Sequence, residues 1–156
     1  MLLIACTRPP REQRESFPPD LQLERVTLQS YRGSETRVEV TAPTLALRRE
    51  SSDFELEDAS VRLPAQGLTA HAPRVTGNLN AGVLEGTGGV TFEGRDGVTG
   101  RSERATFDRS LGAQGGAVSD AGVRLDHPRF TLEATGFQVD FADERATFEQ
   151  PVTRSR

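Results

Sequence analysis

PRFTLEATGFQVDF, from Pro128 to Phe141, is the stretch whose reading decides the fold. Phe130, Leu132 and Ala134 alternate with polar residues. A period of two places successive side chains on opposite faces of a strand and leaves one face apolar. Beyond Ala134 the alternation resumes at Phe137, Val139 and Phe141 with its parity shifted by one. A strand with that shift turns its apolar face outward unless one extra residue is absorbed, so the spacing predicts a bulge or kink, with Gly136 at the break. The same event occurs twice more. Val38, Val40 and Ala42 give way to Leu45 and Leu47 around Pro43, and Ala72 gives way to Val75 around Pro73.

Working outward, the phrase proves to be a repeat. Its first part reads EVTAPTL from Glu39, LTAHAPRV from Leu68, VTGRSERATF from Val98 and TLEATGFQV from Thr131, with Ala42, Ala72, Ser102 and Ala134 as counterparts. Its second part reads DASVRL from Asp58, TGGVTF from Thr87, DAGVRL from Asp120 and EQPVT from Glu149, with Val61, Val90, Val123 and Val152 as anchors. Both series repeat at about 30 residues, and periods of roughly 20 to 50 mark stacked units that bury their apolar faces only against neighbours.

Turn residues separate the parts at Arg49 to Asp53, Pro64 to Gly67, Gly77 to Gly82, Gly94 to Gly97, Arg109 to Gly116, Asp126 to Pro128 and Ala142 to Glu144. The prediction is an all-β domain of at least eight antiparallel strands joined by short loops, a sandwich, jelly roll or related barrel. No window carries a helical period. A patterned array of this length forms one domain able to bury roughly 68–70% of its unfolded surface.

Composition excludes several classes. The net charge is −4 and all 19 cations are arginines, scattered with no basic field, which argues against nucleic acid. No apolar run reaches the length of a membrane-spanning helix. His71 and His127 are the only histidines and neither has a metal-ligand spacing, so no metal and no cofactor is expected. Glu55 and Glu57 read as a solvated strand face opposite Phe54 and Leu56. Gly86, Gly88 and Gly89 precede strand residues where a phosphate loop needs a helix, and read instead as a bulge or close packing. No enzymatic activity is expected. A carbohydrate-binding jelly roll needs stacking aromatics, and the chain has no Trp and only Tyr31.

The one cysteine follows LIA, and LIAC at Leu3 to Cys6 resembles a bacterial lipobox, in which Cys6 carries the lipid. The segment rich in Pro and charge from Thr7 to Asp20 reads as a tether. Five residues are too few for the charged and apolar regions of a signal peptide, so either the true start lies upstream or the match is accidental. Residues 1–20 are read as truncated signal and tether, and residues 21–156 as the domain.

TFEGRDGVTGRSERATFD and VRLDHPRFTLEATGFQVDF resemble the repeats of the OstA-like superfamily, and the layout of the chain is similar to its LptC-like members. The matching positions are Ala72, Ser102, Phe107, Asp108, Ala134, Phe137 and the four anchor valines. The resemblance implies a twisted antiparallel β-jelly roll of two splayed sheets with an apolar groove for the acyl chains of lipopolysaccharide. Phe54, Leu56, Phe92, Phe107, Phe130, Leu132, Phe137, Val139, Phe141 and Phe148 are the expected groove residues; the alternatives are that they fill a closed core in a structural envelope lipoprotein, or that the chain is an LptA-like bridge component. It also implies a periplasmic location, membrane-anchored at the inner or outer membrane. The expected partners are the lipid A moiety of lipopolysaccharide, an inner-membrane export complex and an LptA-like jelly roll. The last of these would add to the final strand, Ala146, Thr147, Phe148, Glu149, Gln150, Pro151, Val152 and Thr153, because an unblocked terminal edge invites pairing.

Overall fold

A computed structural model of the chain describes residues 19 to 155. Six long strands follow one another as an antiparallel meander: β1 (Leu21–Arg32), β2 (Glu35–Arg48), β3 (Asp53–Leu63), β4 (Leu68–Asn78), β5 (Val83–Glu93) and β6 (Thr99–Asp108). Six short ones complete the sheet: β7 (Gly116–Ser119), β8 (Val123–His127), β9 (Phe130–Ala134), β10 (Gly136–Asp140), β11 (Arg145–Glu149) and β12 (Val152–Ser155). The expectation of an all-β antiparallel jelly roll holds, with more strands than the minimum the turns announced. Cys6 and most of the tether lie outside the described residues.

The predicted kinks form a line across the sheet. Between β1 and β2 the pairing jumps from Val26 with Ala42 to Glu24 with Thr44, stepping over Arg25 and Pro43. Between β3 and β4 it jumps from Ala59 with Ala72 to Glu57 with Arg74, stepping over Asp58 and Pro73. Between β5 and β6 it passes from Thr87 with Arg104 to Val90 with Ser102, leaving Gly88 and Gly89 bulged opposite Glu103. Pro43, Asp58, Pro73, Gly88 and Glu103 therefore recur every 15 residues, half the sequence period. Arg25 and Asp58 take φ of 54° and 51°, Gly88 and Gly89 φ of 84° and 97°. Prolines, which lack the amide hydrogen, sit where the ladder is interrupted anyway, and glycines supply the left-handed conformation at the bulge.

Each kink absorbs one residue, and this is why the parity shifts. Val40 and Ala42 before the line and Leu45 after it all end up buried, as do Phe54 and Leu56 before it and Ala59 after it. The sheet folds along the line into two layers whose inner faces meet. One hydrogen-bonded sheet thus makes both walls of the splayed sandwich. The core cluster of Val26, Val40, Ala42, Leu45, Phe54, Leu56, Ala59, Ala72, Val75 and Val90 gathers along the fold. Backbones approach closely there: a Cβ on Gly86 would meet the Ala72 Cβ at 3.1 Å. The anchor positions are only partly in phase with this line. Val90 pairs with Ser102 and Val123 with Ala134. In the first unit Ala59, fully buried, takes the core place beside Ala72 while Val61 is half-buried, and Val152 is 54% exposed.

At β6 the sheet forks. Thr99 to Arg101 pair with β8, which continues to β9 and β12; Thr106 to Asp108 pair with β7, which continues to β10 and β11. The fork is filled by buried Ser102 and Ser119, whose hydroxyls lie 3.1 Å apart and reach the carbonyl oxygens of Arg104 and Gly122. The Ala121 amide donates to Ser119 Oγ at 3.1 Å. These two serines satisfy backbone groups that the diverging ladders leave without strand partners.

The last expected strand is corrected. Ala146 to Thr153 is divided: Ala146 to Glu149 belong to β11 in one layer, and Val152 and Thr153 belong to β12 in the other. Gln150 at φ 46° and Pro151 make the break, 15 residues after Thr135 makes the same break between β9 and β10. The kink line therefore continues past the fork, where it cuts strands instead of bending them.

Candidate functional site

Between the layers lies a cavity of about 350 Å³, at the low end of the roughly 300–1,000 Å³ of ligand pockets. Phe54, Leu56, Leu84 and Phe107 come from the layer that ends in β11, with Phe141 just beyond β10. Leu28, Val38, Val40 and Leu63 face them from the layer that ends in β12. The strand registers explain the apolar lining. Leu28 stands opposite Val40, and Phe54, Gly77, Leu84 and Phe107 are successive partners on one inner row. Gly77 has no room for a side chain: a Cβ there would come within 2.7 Å of the Phe54 ring. Phe107 and Phe141 stack with ring centroids 6.0 Å apart.

The cavity has a polar rim of Arg32, Glu35, Arg37, Arg109 and Gln114. Arg37 donates from Nη2 to the Gln114 carbonyl oxygen at 2.9 Å, tying the start of β2 to the loop between β6 and β7. Away from the cavity the layers touch: Phe92 of β5 and Phe137 of β10 meet edge to face at 5.9 Å.

Of the expected groove residues, Phe54, Leu56, Phe107 and Phe141 line this cavity. Phe92 and Phe137 pack against each other outside it. Phe130 stacks on His127 at 4.7 Å, Leu132 pairs with Leu125, Val139 lies between Ala117 and Ala146, and Phe148 pairs with Phe137. These residues belong to the forked half of the sheet. Leu28, Val38, Val40, Leu63 and Leu84 were not among the candidates. The signal for Val38 and Val40 was present in their alternation, and Leu63 continues the alternation of Ala59 and Val61 to the end of β3.

The charged pairs lie away from the cavity. Arg104 beside Asp120 and Ser110 beside Asp108 hold those two carboxyls below the usual carboxylate range, through hydrogen bonds to the ionised form. Asp126, with Glu133, raises Arg124. Neither carboxyl nor Arg124 borders the cavity. His71 Nε2 lies 2.8 Å from Asp58 Oδ1 on the exposed surface, and Glu55 pairs with Arg74. Among the described residues no group of three or more His, Cys, Asp and Glu is placed to hold a metal ion. The site is thus an apolar slot with cations at its rim, suited to holding a molecule by burial.

No family model and no curated protein matches the chain. Among solved structures it is similar to LptH, the LptA homologous periplasmic component of the conserved lipopolysaccharide transport device from Pseudomonas aeruginosa. The TM-score is 0.58 at 12% identity, over 76% of this chain and 93% of that one. The likeness is one of fold: an open, twelve-stranded LptA-like β-jelly roll.

Proposed function

We propose that the chain is a periplasmic lipid-binding component of lipopolysaccharide export that holds acyl chains in the cavity between its layers and passes them to a second jelly roll. The apolar cavity carries this reading. Each methylene left in water costs about 0.8 kcal/mol relative to burial, so a multiply acylated lipid crosses an aqueous compartment only with its chains covered. The LptH-like fold supports the export setting. Lipid A is the moiety held; an LptA-like protein pairing with the exposed β11 and β12 edges, and an inner-membrane export complex, are the partners. Cys6 carries a lipid anchor in the anchored form of this reading.

A bridge component without an anchor is the second reading, favoured by the extent of the match to LptH. Changing Cys6 to Ser after restoring the upstream codons separates the two: release from the membrane supports the anchored form, and an unmodified mature Cys6 supports the bridge. For the cavity itself, a photocrosslinking residue in place of Phe107 or Leu84 is expected to capture lipopolysaccharide in cells, whereas one at outward-facing Glu57 is not. Equal labelling at all three positions sinks the assignment, and mass spectrometry of co-purified lipid identifies the cargo.

A further inference from the structure

We infer that the tip of the β1–β2 hairpin is a flap over the cavity, latched by Arg37 to the opposite wall, and that it sets how long a held acyl chain stays. The residence part rests on the lipid-carrier reading; the flap itself rests on geometry. β3 pairs with β2 only as far as Glu39 opposite Arg62. Beyond that point, among the described residues, Glu35 to Val38 have β1 as their one strand neighbour, through Ser30 with Val38, Tyr31 with Thr36 and Arg32 with Glu35. A two-stranded ribbon without further support is marginally stable in water, so this overhang is the part of the long meander best able to move.

Three later turns are buttressed and this one is not. A Cβ on Gly67 would strike the Arg95 side chain, on Gly82 that of Arg109 and on Gly112 the Asp140 carboxylate. One on Gly33, in the β1–β2 turn, would meet nothing within 4 Å. A surface recess separates the hairpin from the turn after β3, with Glu35, Thr36 and Glu39 on one side and Arg62, Pro64 and Ala65 on the other.

What holds the tip lies across the cavity. β1 and β2 slip register between Ser30 and Tyr31, and the extra residue is Arg37. Strict alternation from Val38 and Val40 would point Arg37 away from the cavity, but a bulge re-aims a side chain. Arg37 lines the cavity and donates to the Gln114 carbonyl oxygen at 2.9 Å. The receiving loop is seated on the other wall: the Phe141 amide donates to the Gly115 carbonyl oxygen at 3.2 Å, and Gly116 lies too close to the Val139 carbonyl oxygen to carry a side chain. The hairpin tip is thus the moving half and the loop its fixed catch. Val38 rides on the tip, so lifting it opens the apolar lining.

Spin labels at Ser34→Cys on the tip and Ala113→Cys on the catch, in the full chain with Cys6→Ser, report the gap by double electron–electron resonance. Residence is read from the displacement rate of cis-parinaric acid, a fluorescent acyl chain. The protein with Arg37 intact should give one short distance. Arg37→Ala should add a longer population and release the probe about fivefold faster, the scale of one lost hydrogen bond. Arg37→Lys should restore part of both, since an ammonium still donates to a carbonyl. Arg74→Ala, which breaks a pair with Glu55 on the outer face, should change neither. A bis-maleimide joining the two cysteines after loading should slow release. Distances unchanged by Arg37→Ala overturn the latch. A widened gap with unchanged release, or release from the bridged protein at the unbridged rate, overturns its part in residence. Binding of the probe by no form overturns the carrier reading, and the distances alone then decide the latch.

Discussion

The six long strands and the six short ones build the same two-layered shape by different means. In β1 to β6 every strand crosses the kink line, so each contributes to both walls and the core cluster lies entirely between Val26 and Val90. In β7 to β12 the strands stop at the line, the walls are separate ladders, and the buried apolar side chains are Val123, Phe137 and, just beyond β10, Phe141. Polar contacts take over there: the Ser102 and Ser119 pair in the fork, and Arg124 with Asp126 and Glu133 on the outer face. Continuity of the backbone gives a tight apolar seam; interruption leaves open edges.

Removing residues from Phe148 onward should break this comparison most visibly. The truncation deletes β12 and the end of β11, and is expected to abolish capture of an LptA-like partner in size-exclusion chromatography while the β1 to β6 seam stays folded. Unchanged partner affinity places the interface elsewhere. Next in size, Leu56→Ala at a position only 1% exposed is expected to cost about 3 kcal/mol in denaturant unfolding, within the usual range for buried Leu. Phe148→Ala, half-buried at the margin, should cost roughly a third as much; equal losses erase the distinction between the two halves.

Ser102→Ala removes a buried hydroxyl and leaves the Gly122 carbonyl without its partner, an expected loss of about 1–2 kcal/mol that Ser→Thr does not reproduce through polarity alone. Gly89→Ala tests the kink. A Cβ there meets nothing within 4 Å, so the cost of about 1 kcal/mol comes from φ 97° alone. A null result in thermal melting means the bulge is not held by the glycine.

The smallest effect concerns acid. The Asp120 carboxyl titrates below its ordinary value of about 3.9 because Arg104 stabilises its charge. A depressed folded pKa contributes stability that is present above the unfolded value and is lost as pH falls through the folded one. The gap in denaturation midpoint between wild type and Asp120→Asn should narrow from pH 5 downward; a gap that widens contradicts the assignment.

Much of this architecture was legible in the residues. Alternation with a parity shift announced strands that bend at Pro43 and Pro73, because a bend that keeps one face apolar must absorb a residue and leave that mark. The fork was not legible, since Ser102 looks like any small residue of the repeat and only the approach of Ser119 from the neighbouring β7 shows its task. The division at Gln150 was missed for a related reason: Phe148 and Val152 keep one parity, so the break leaves no shift to read. The cavity lining was half legible. Phe54 and Phe107 stand out as bulky residues, whereas Leu63 and Leu84 become lining only through the registers that bring the two walls together.

The line of kinks has a mechanical meaning. A sheet whose strands all run through the fold is bound like the pages of a book at its spine, and prising its covers apart requires simultaneous dihedral changes in six segments. At the far end of that spine continuous strands give way to three short crossings, Asp120 to Gly122, Thr135, and Gln150 with Pro151, linked by hydrogen bonds from the Gly122 amide to Thr135 and from the Thr135 amide to Glu149. Widening between the layers is therefore easiest at the end of the spine bounded by β11 and β12. Under the proposed function, loading and docking would compete for that same end of the molecule, and a partner seated on those strands would set how far the book opens.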